Sequence, residues 1–510
     1  MNEELTQRIL EVSQSVARDG EPPLGVDQFH AYHDALMGRS CFFTGPGGNG
    51  KTELSRRVVR ELRRRGKTVA VTATTGIAAV NAGGVTIHSF LRLGLCNSID
   101  EAKRKQSGDA FSKACDSLPE VDVILVDEAS MMRGDYLDMM DWWLRRVAGV
   151  TKGDAEQAKP FGGWQILLSG DFLQLPPVIK GKEKVKYRYA FQAPSWAKLA
   201  PRCHYLRKGY RQDDAEFRKH LLKVRRGIAT EETLDYFNAR VHADIPGGED
   251  ATELFATNKE ADRVNERRLD ALPGEEREYV VETGGHPGWQ EAIKKNLPCE
   301  EILRLKVGAE VIFIKNDKDR RFVNGTRGTV LSLDGGVTVR KHFGDDSDVD
   351  VVVTKHTWEL KDAHDVVLAT AKQYPLLLGW ASTIHRAQGL TLDQMKFDPS
   401  CIFERSQSYV ALSRARSIGG LCLKAPLDAS AIRTSKLCVD FYKGLETIPD
   451  LDPAELTVHP TAPPPVLTAF PPEEEAPPVR IRSIGDWLAE SKAKSRIPCP
   501  PLTTDELPPF

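Results

Sequence analysis

Residues 41–52 read CFFTGPGGNGKT, and the fold of the whole chain can be worked out from this stretch. A short apolar run ends in a glycine-rich loop, and residues 53–65 then have helical composition. The loop has the spacing G-x-x-x-x-G-K-[ST], in which backbone N–H groups face a polyphosphate, the lysine reaches the terminal phosphates and the hydroxyl binds Mg²⁺. The helix N-terminus adds partial positive charge. The stretch predicts a nucleoside triphosphate site at these loop residues: Gly45, Pro46, Gly47, Gly48, Asn49, Gly50, Lys51 and Thr52.

The composition is that of an ordinary water-soluble protein with several domains. The 510 residues are enough for roughly two to four domains. Hydrophobic residues make up 41% of the chain and charged residues 28%. The formal net charge is -2, but residues 449–510 carry ten acidic and five basic residues, so the remainder is mildly basic at +3. That charge is compatible with an anionic partner.

Cysteine usage and hydropathy predict an intracellular protein. The nine cysteines are odd in number and include no C-x-x-C pair, which favours reduced thiols over a disulfide framework or a zinc site. The first residues lack a signal-peptide core, and no apolar run is long enough to span a membrane. We therefore expect a protein that is not secreted and makes no membrane contact, located in the nucleus of a eukaryote or otherwise in the cytoplasm.

Three further apolar runs, residues 69–73, 123–126 and 165–169, have strand length and end in polar clusters. The second of them leads directly into Asp127 and Glu128. The first carboxylate can hold Mg²⁺ and the second can polarise an attacking water, although acids at a strand end can also simply cap the next helix. Open parallel α/β sheets bind ligands at the carboxyl ends of their strands, so the pattern predicts that fold class.

Residues that follow the run 69–73 suit contact with a single nucleic-acid strand. Small hydroxyl residues, a histidine and an aromatic residue combine hydrogen bonding with stacking. A packed strand end with a helix cap explains the same residues about equally well. The candidates are Thr75, Thr86, His88, Ser89 and Phe90.

A second unit begins near Cys203. Its segment 206–212, LRKGYRQ, places Arg211 beside an aromatic residue. The α/β pattern resumes with the apolar runs 376–381 and 409–412, and Arg414 follows the latter. Such an arginine is either a surface charge or the charge that completes a nucleotide site on the other half of the chain.

Between these segments, residues 306–375 alternate between apolar and polar and contain the hairpin signal Asn324-Gly325, so they predict an antiparallel β module. The last 62 residues hold 15 of the 31 prolines, which predicts a disordered tail. Apolar residues at 481, 484, 487 and 488 recur at helical spacing within it. They are compatible with a short helix that docks a protein partner, and equally with isolated apolar residues.

Taken together and in this order, the segments resemble the petite-integration-frequency (Pif) helicases of superfamily 1, which include relatives of the RecD helicase subunit. The resemblance runs from about Gln28 to Leu423. It rests on seven stretches: GPGGNGKT, TTGIAAVNAGGVTIHSF, VDEASMM, GDFLQLPPV, LRKGYRQ, WASTIHRAQGLTLD and YVALSRAR. Pro46 and Asn49 depart from the small residues usual in that loop, which should leave the phosphate cradle usable.

The resemblance implies roles for individual residues. Gln28 is similar to the glutamine that reads adenine, and Gln174 is similar to the sensor of the γ-phosphate. Catalytic roles fall on Lys51, Glu128, Gln174, Arg211 and Arg414, the two arginines acting as fingers from the second domain. ATP is expected at the loop, Gln28 and Gly389, with Mg²⁺ held by Thr52 and Asp127. Contacts with single-stranded DNA are expected at Thr75, Thr86, His88, Ser89, Phe90, His385 and Thr391.

The resemblance also implies a domain plan of two tandem RecA-like P-loop NTPase domains with an inserted module. The parts are an N-terminal helical segment (1–24), a first domain (25–204) with a wedge insert at about 91–118, a second domain (205–327 and 376–447), a small inserted β-barrel (328–375) and a disordered proline-rich acidic tail (448–510).

The function implied is that of a monomeric, ATP-dependent 5′-to-3′ helicase. It would translocate on single-stranded DNA and unwind duplex, forked or structured DNA in replication, repair, recombination or telomere maintenance. A RecD-like or transposon-borne helicase subunit of a larger complex is an alternative. A non-translocating ATP-dependent scaffold that binds through the tail is an alternative from another class, and single-stranded DNA should not stimulate its ATPase.

Overall fold

The computed structural model describes residues 21–445 except 94–95, 97–98, 106–107, 180–184, 213, 246–247, 318, 320 and 343–349. The predicted tail, residues 448–510, lies outside the described residues. So does the predicted N-terminal helical segment, 1–24, apart from its last four residues.

The first domain is built on a six-stranded parallel sheet. Its strands run in the order β3-β2-β4-β5-β1-β6. Central strands of parallel sheets are covered on both faces, which explains why the predicted strands are nearly continuous apolar runs. The strands are β1 (Cys41–Thr44), β2 (Val69–Ala73), β3 (Val85–Thr86), β4 (Val123–Asp127), β5 (Gln165–Ser169) and β6 (Arg202–Tyr205).

Nine α-helices accompany this sheet in the described part of the first domain. They are α1 (Val26–Leu36), α2 (Lys51–Arg64), α3 (Gly76–Ala82), α4 (Ile87–Phe90), α5 (Ile99–Lys105), α6 (Asp109–Ser117), α7 (Gly134–Thr151), α8 (Asp154–Ala158) and α9 (Pro194–Leu199). Helix α7 buries Met139, Met140 and Trp143 in the core, so its aromatic and methionine residues serve packing, as their helical spacing predicts.

The remaining described chain contributes further strands and helices. The strands are β7 (Thr252–Phe255), β8 (Arg277–Val280), β9 (Glu282–Gly285), β10 (Ile302–Leu305), β11 (Glu310–Phe313), β12 (Arg327–Ser332), β13 (Val337–Lys341), β14 (Asp350–Val353), β15 (His356–Lys361), β16 (Val367–Gln373), β17 (Leu376–Leu378), β18 (Ala381–Thr383), β19 (Met395–Phe397) and β20 (Leu421–Leu423). The helices are α10 (Ala215–Arg225), α11 (Glu231–Asn238), α12 (Asn258–Ala271), α13 (Pro287–Lys295), α14 (Gln407–Leu412) and α15 (Lys436–Lys443).

The second domain has its own parallel sheet, in the order β18-β7-β19-β20. The apolar run 376–381 is divided between two sheets: β17 joins an antiparallel sheet and β18 joins this parallel one. Gly379 lies at the division, where an added Cβ would come 3.0 Å from the backbone nitrogen of Val311. The run 409–412 lies within helix α14. Two parallel-sheet α/β domains are therefore present, as the sequence predicts.

The antiparallel strands are spread over more of the chain than predicted. One sheet has the order β14-β13-β12-β11-β17, a second has β15-β16-β9, and β10 pairs with β8. A β-barrel confined to residues 328–375 is not confirmed, because β9, β11 and β17, from outside that range, share sheets with its strands. Alternation identifies a strand and its buried face but does not name its partner strand. Strands β11 and β12 do pair around Asn324-Gly325, through the connection 314–326.

Helix α15 was expected in the second domain, yet its aromatic face packs into the core of the first. Phe441 stacks on Phe191 at a ring-centroid distance of 4.5 Å and meets Phe172 edge-on at 5.6 Å. Burial of such aromatic surface is a large stabilising contribution. The last described helix of the second domain thus packs into the first domain and joins the two.

In the described parts of residues 21–445, no helix combines the length and the apolar character needed to cross a bilayer.

Candidate nucleotide site and nucleic-acid interface

The glycine loop turns tightly between β1 and α2. Gly45, Gly48 and Gly50 have φ values of 142°, 86° and 78°, a region that L-residues rarely adopt. A Cβ on Gly50 would lie 2.5 Å from Nε2 of Gln28, and one on Gly48 would lie 2.6 Å from Cβ of Arg211. Glycine is therefore required here both by backbone conformation and by the close approach of two predicted site residues.

The Lys51 side chain lies over the loop. Its Nζ donates hydrogen bonds to the carbonyl oxygens of Gly45 (2.7 Å) and Pro46 (3.1 Å). Burial lowers the pKa of Lys51, while the nearby carboxylates of Asp171 and Glu128 act in the opposite direction. The ammonium group of Lys51 is thus positioned to neutralise an anion bound by the loop amides.

A tyrosine from the second domain contacts the loop directly. The N–H of Gly47 donates a hydrogen bond of 3.0 Å to the hydroxyl oxygen of Tyr409, on α14. Burial raises the pKa of Tyr409 to about 12, so the hydroxyl is neutral. In this structure the N–H of Gly47, which the loop motif would direct at a phosphate, is therefore hydrogen-bonded to the second domain.

The two predicted arginine fingers both lie close to Gly47 of the glycine loop. A Cβ on Gly47 would lie 3.3 Å from Nη2 of Arg414 and 3.5 Å from Nη1 of Arg211. Arg414 donates to the carbonyl oxygen of Val410 and to the hydroxyl of Ser413, and Arg211 donates to the carbonyl oxygen of Ser413. Burial lowers the pKa of Arg414, and lowers that of Arg211 to about 10. Within the described chain, neither guanidinium forms an ion pair with a carboxylate.

The acidic pair lies at the carboxyl end of β4, as predicted. Burial raises the pKa of Asp127, and burial together with Asp127 raises that of Glu128 to about 7. Nε2 of Gln388, from the second domain, lies 3.3 Å from both Glu128 Oε2 and Gln174 Oε1. The predicted water-positioning acid and the predicted γ-phosphate sensor are therefore bridged by one amide across the domain boundary.

A buried ion pair supports this edge of the first domain. Arg225 donates from Nη2 and Nε to Asp171, at 2.7 and 3.1 Å. Its guanidinium also lies 4.8 Å from the ring centroid of Tyr442, on α15. The hydroxyl of Tyr442 is 2.5 Å from the hydroxyl of Thr44 and accepts a hydrogen bond from the backbone N–H of Phe172. Helix α15 thereby reaches the last residue of β1, next to the glycine loop.

Gln28 is buried in α1, with 6% of its surface exposed. Its Oε1 accepts hydrogen bonds from the N–H of Gly25 and from the hydroxyl of Tyr210. Nε2 donates to the carbonyl oxygen of Gly50 at 3.4 Å. Tyr210 as a whole is 45% exposed. A buried amide and a partly exposed tyrosine therefore lie side by side at the edge of the loop.

Two of the predicted DNA-contact residues in the first domain, Thr75 and Thr86, cap helices through their hydroxyls. Thr75 accepts the N–H of Ala78 at the start of α3. Thr86 accepts the N–H of Ser89 at the start of α4 and donates to its hydroxyl. The ring of His88 lies 4.1 Å from that of Tyr136, and burial lowers the pKa of His88 to about 4. His88 is therefore a neutral aromatic surface at physiological pH.

An open cleft adjoins these residues. It has a volume of about 380 Å³, and Trp289 on α13 forms part of its wall. Its lining residues are His88, Ser89, Arg92, Asp109, Ala110, Lys113 and Trp289. The cleft thus lies between the first domain, including its predicted wedge insert, and the segment that carries α13.

Most of the predicted nucleotide residues meet at one place. The loop, Gln28 and the two arginines are in contact through Gly47, Gly48 and Gly50. The structure does not bring Gly389 against the loop: it is exposed, and a Cβ on it would meet no heavy atom within 4 Å. The remaining predicted residues are distributed as follows: Thr52 and His385 are exposed, and Phe90 and Thr391 are half-buried.

Other contacts were missed at the sequence level. Gln388 lies in the motif WASTIHRAQGLTLD and Tyr409 in the motif YVALSRAR, near residues that were predicted. Their membership of these motifs was therefore a signal that could have identified them. Arg225 and Tyr442 lie on ordinary helices outside every motif, and only the folded chain shows their role.

The fold and the site define a P-loop NTPase made of two parallel-sheet domains that meet across the glycine loop. A family profile described as PIF1-like helicase matches residues 26–234, and one described as the 2B domain of DNA helicase Pif1 matches residues 289–333. The chain belongs to the PIF1-like helicase family. The second match begins at residue 289, before the predicted start of the inserted domain at 328, and ends at 333, before its predicted end at 375. The earlier start is consistent with the wider spread of the antiparallel strands.

The chain is similar to curated relatives from distant organisms. It is 36% identical to the ATP-dependent DNA helicase Pif1 of Bdellovibrio bacteriovorus, over 84% of this chain and 93% of that protein. It is 34% identical to the ATP-dependent DNA helicase PIF1 of Homo sapiens, over 83% of this chain. The chain spans only 64% of the human protein's length.

Solved structures show the same likeness. Bacteroides Pif1 in complex with ADP-AlF4 is 29% identical, with a TM-score of 0.72 over 84% of this chain and 98% of that one. Bacteroides Pif1 bound to single-stranded DNA has a TM-score of 0.57 over the same shares. The structure thus resembles the nucleotide complex more closely than the DNA complex.

Proposed function

We propose that this chain is an ATP-dependent DNA helicase that moves 5′-to-3′ along single-stranded DNA. One observation carries the assignment: the guanidinium groups of buried Arg414 and half-buried Arg211 lie against the glycine loop at Gly47 and, in the described chain, have no carboxylate partner. Uncompensated buried charge is costly. A phosphate chain held by the first-domain loop supplies the missing negative charge, and its contact with the two second-domain arginines would link the domains.

The residues have distinct roles in this proposal. Lys51 and the loop amides hold the β- and γ-phosphates, and ATP when bound supplies the phosphoanhydride that is cleaved. Glu128, once deprotonated, orients the attacking water and accepts its proton. Arg211 and Arg414 stabilise the charge that develops on the transferred group. Gln174 and Gln388 contact the reacting end of the nucleotide and transmit its state to the second domain.

The donor set at the loop fits Mg²⁺. The carboxylate of Asp127 ends β4 beside the loop, and the hydroxyl of Thr52 begins α2. Oxygen ligands of this kind, with phosphate oxygens, are what Mg²⁺ prefers. We assign Thr52 and Asp127 to hold it.

Adenine recognition is assigned to the edge of the loop. The amide of Gln28 can pair with the hydrogen-bonding edge of the base, and the partly exposed side chain of Tyr210 can stack on its ring. Because Tyr210 belongs to the same segment as Arg211, nucleotide binding would order the base contact and the arginine contact together.

Contact with DNA is assigned to the first-domain surface around His88 and to His385 and Thr391 on the second domain. Closing the domains on ATP and reopening them after hydrolysis would move these two surfaces past each other by one step on the strand. The relatives named above support the DNA substrate. Action as a monomer, an intracellular location and a part in replication, repair, recombination or telomere maintenance follow from the same family likeness and belong to the proposal.

The decisive experiment is strand separation on two matched duplexes that differ only in the polarity of the single-stranded tail. We expect ATP-dependent unwinding of the 5′-tailed duplex. Unwinding of the 3′-tailed duplex alone would refute the polarity while leaving the helicase assignment intact. An ATPase that single-stranded DNA fails to stimulate would instead favour the non-translocating scaffold.

A further inference from the structure

A basic groove lies at one end of helix α15, in a part of the structure that the nucleotide site does not use. Its volume is about 460 Å³. It is lined by Arg226, Gly227, Arg405, Ile432, Arg433, Thr434, Lys436, Val439, Asp440 and Lys443. Five of these residues are cationic and one is acidic. We call this surface the α15 groove.

Four of the five cations of the α15 groove lie at its exposed surface. Arg405, Arg433, Lys436 and Lys443 are all exposed. Asp440 supplies the only carboxylate in the lining and pairs with Lys443 at 3.3 Å. Exposed pairs of this kind contribute little. The groove therefore presents a concentrated positive charge that an acidic ligand would complement.

The chain itself carries a segment of the complementary charge directly after this groove. Helix α15 ends at Lys443, and residues 446–479 follow two residues later. These 34 residues contain seven acidic residues, including Glu473, Glu474 and Glu475 in succession, and no Lys or Arg. The five basic residues of the C-terminal region all come later, from Arg480 onward.

We propose that the acidic segment 446–479 binds in the α15 groove of the same chain. About 30 residues between Lys443 and Glu473 give ample reach, at roughly 3.3 Å per extended residue. A short covalent link also raises the effective concentration of such a ligand into the millimolar range. Because α15 carries Tyr442, whose hydroxyl reaches Thr44, the acidic segment would be anchored on the helix that joins the two domains at the nucleotide site.

The test is zero-length carbodiimide coupling of the full chain, with the linked residues mapped by mass spectrometry. We expect amide links within one chain between Lys436 or Lys443 and carboxylates of 446–479. Their yield should fall sharply between about 0.1 M and about 1 M salt, because the screening length shortens from about 10 Å to about 3 Å. Lys295, exposed on α13, is the control lysine and should link to the segment far less.

A matched double variant keeps the groove lysines and lowers the positive charge of the groove. Replacing Arg405→Gln and Arg433→Gln together should lower the yield at Lys436 about fivefold, the effect of two exposed charge contacts. Thermal denaturation of the variant checks that it is folded. Its affinity for single-stranded DNA should be unchanged.

Three results would overturn the proposal. One is equal linkage of the segment to Lys295 and Lys436, and another is linkage found only between separate chains. The third is a loss of DNA affinity in the double variant, with unchanged linkage at Lys436, since that would identify the groove as a contact for the nucleic-acid backbone.

Discussion

The contact between Tyr409 and Gly47 leads to a prediction about nucleotide affinity. In the structure the Gly47 N–H is already bonded to the Tyr409 hydroxyl at 3.0 Å, so a phosphate must replace that bond. Tyr409→Phe removes the competing acceptor and leaves the amide unsatisfied until a phosphate arrives. A net hydrogen bond contributes about 1 kcal/mol. We therefore expect nucleotide to bind about fivefold more tightly to the variant.

The assay is equilibrium titration with a fluorescent ADP analogue and Mg²⁺, without DNA, so that neither hydrolysis nor DNA binding contributes. Tyr236→Phe is the matched control, because that ring stacks on His220 at 4.1 Å, away from the loop. The control should keep the wild-type affinity. Unchanged affinity in Tyr409→Phe would refute the competition argument. Weaker affinity would show instead that the hydroxyl contacts the bound phosphates.

Three further predictions concern the nucleotide site and the ion pair that supports it. Lys51→Ala should abolish ATP hydrolysis, measured as phosphate release, because it removes the ammonium group that the first domain holds over the loop at the carbonyl oxygens of Gly45 and Pro46; a variant that still unwinds DNA would contradict the site. Burial raises the pKa of Glu128 to about 7 from 4.5, so its contribution to stability is present at low pH and is lost as pH rises through that interval. Glu128→Gln should therefore melt at a higher temperature than wild type near about pH 8 and at a similar one near about pH 5, and equal differences at both values would argue against the shifted pKa. Arg225→Ala leaves Asp171 charged and buried, which should cost about 3–5 kcal/mol in the free energy of unfolding by denaturant. Adding Asp171→Asn should recover part of that loss, and no recovery would mean that the arginine acts mainly through packing.

The sequence alone determined the local chemistry of the site. Strand β1, the glycine loop and helix α2 follow from the spacing of a dozen residues, because loop geometry and helix start are properties of adjacent residues. The Asp127-Glu128 pair followed in the same way from its place at the end of a buried apolar run. Even the class of the fold could be inferred, since each such run delivered polar residues at the same end.

The tertiary structure decided which distant residues complete that chemistry. Tyr409, Gln388 and Arg225 reach the first domain from positions more than 50 residues away, and their spacing in the chain is unrelated to their distance in space. The partners of the antiparallel strands and the docking of α15 were also beyond the sequence pattern. Periodicity shows that a face is buried, whereas packing between whole elements selects the surface that buries it.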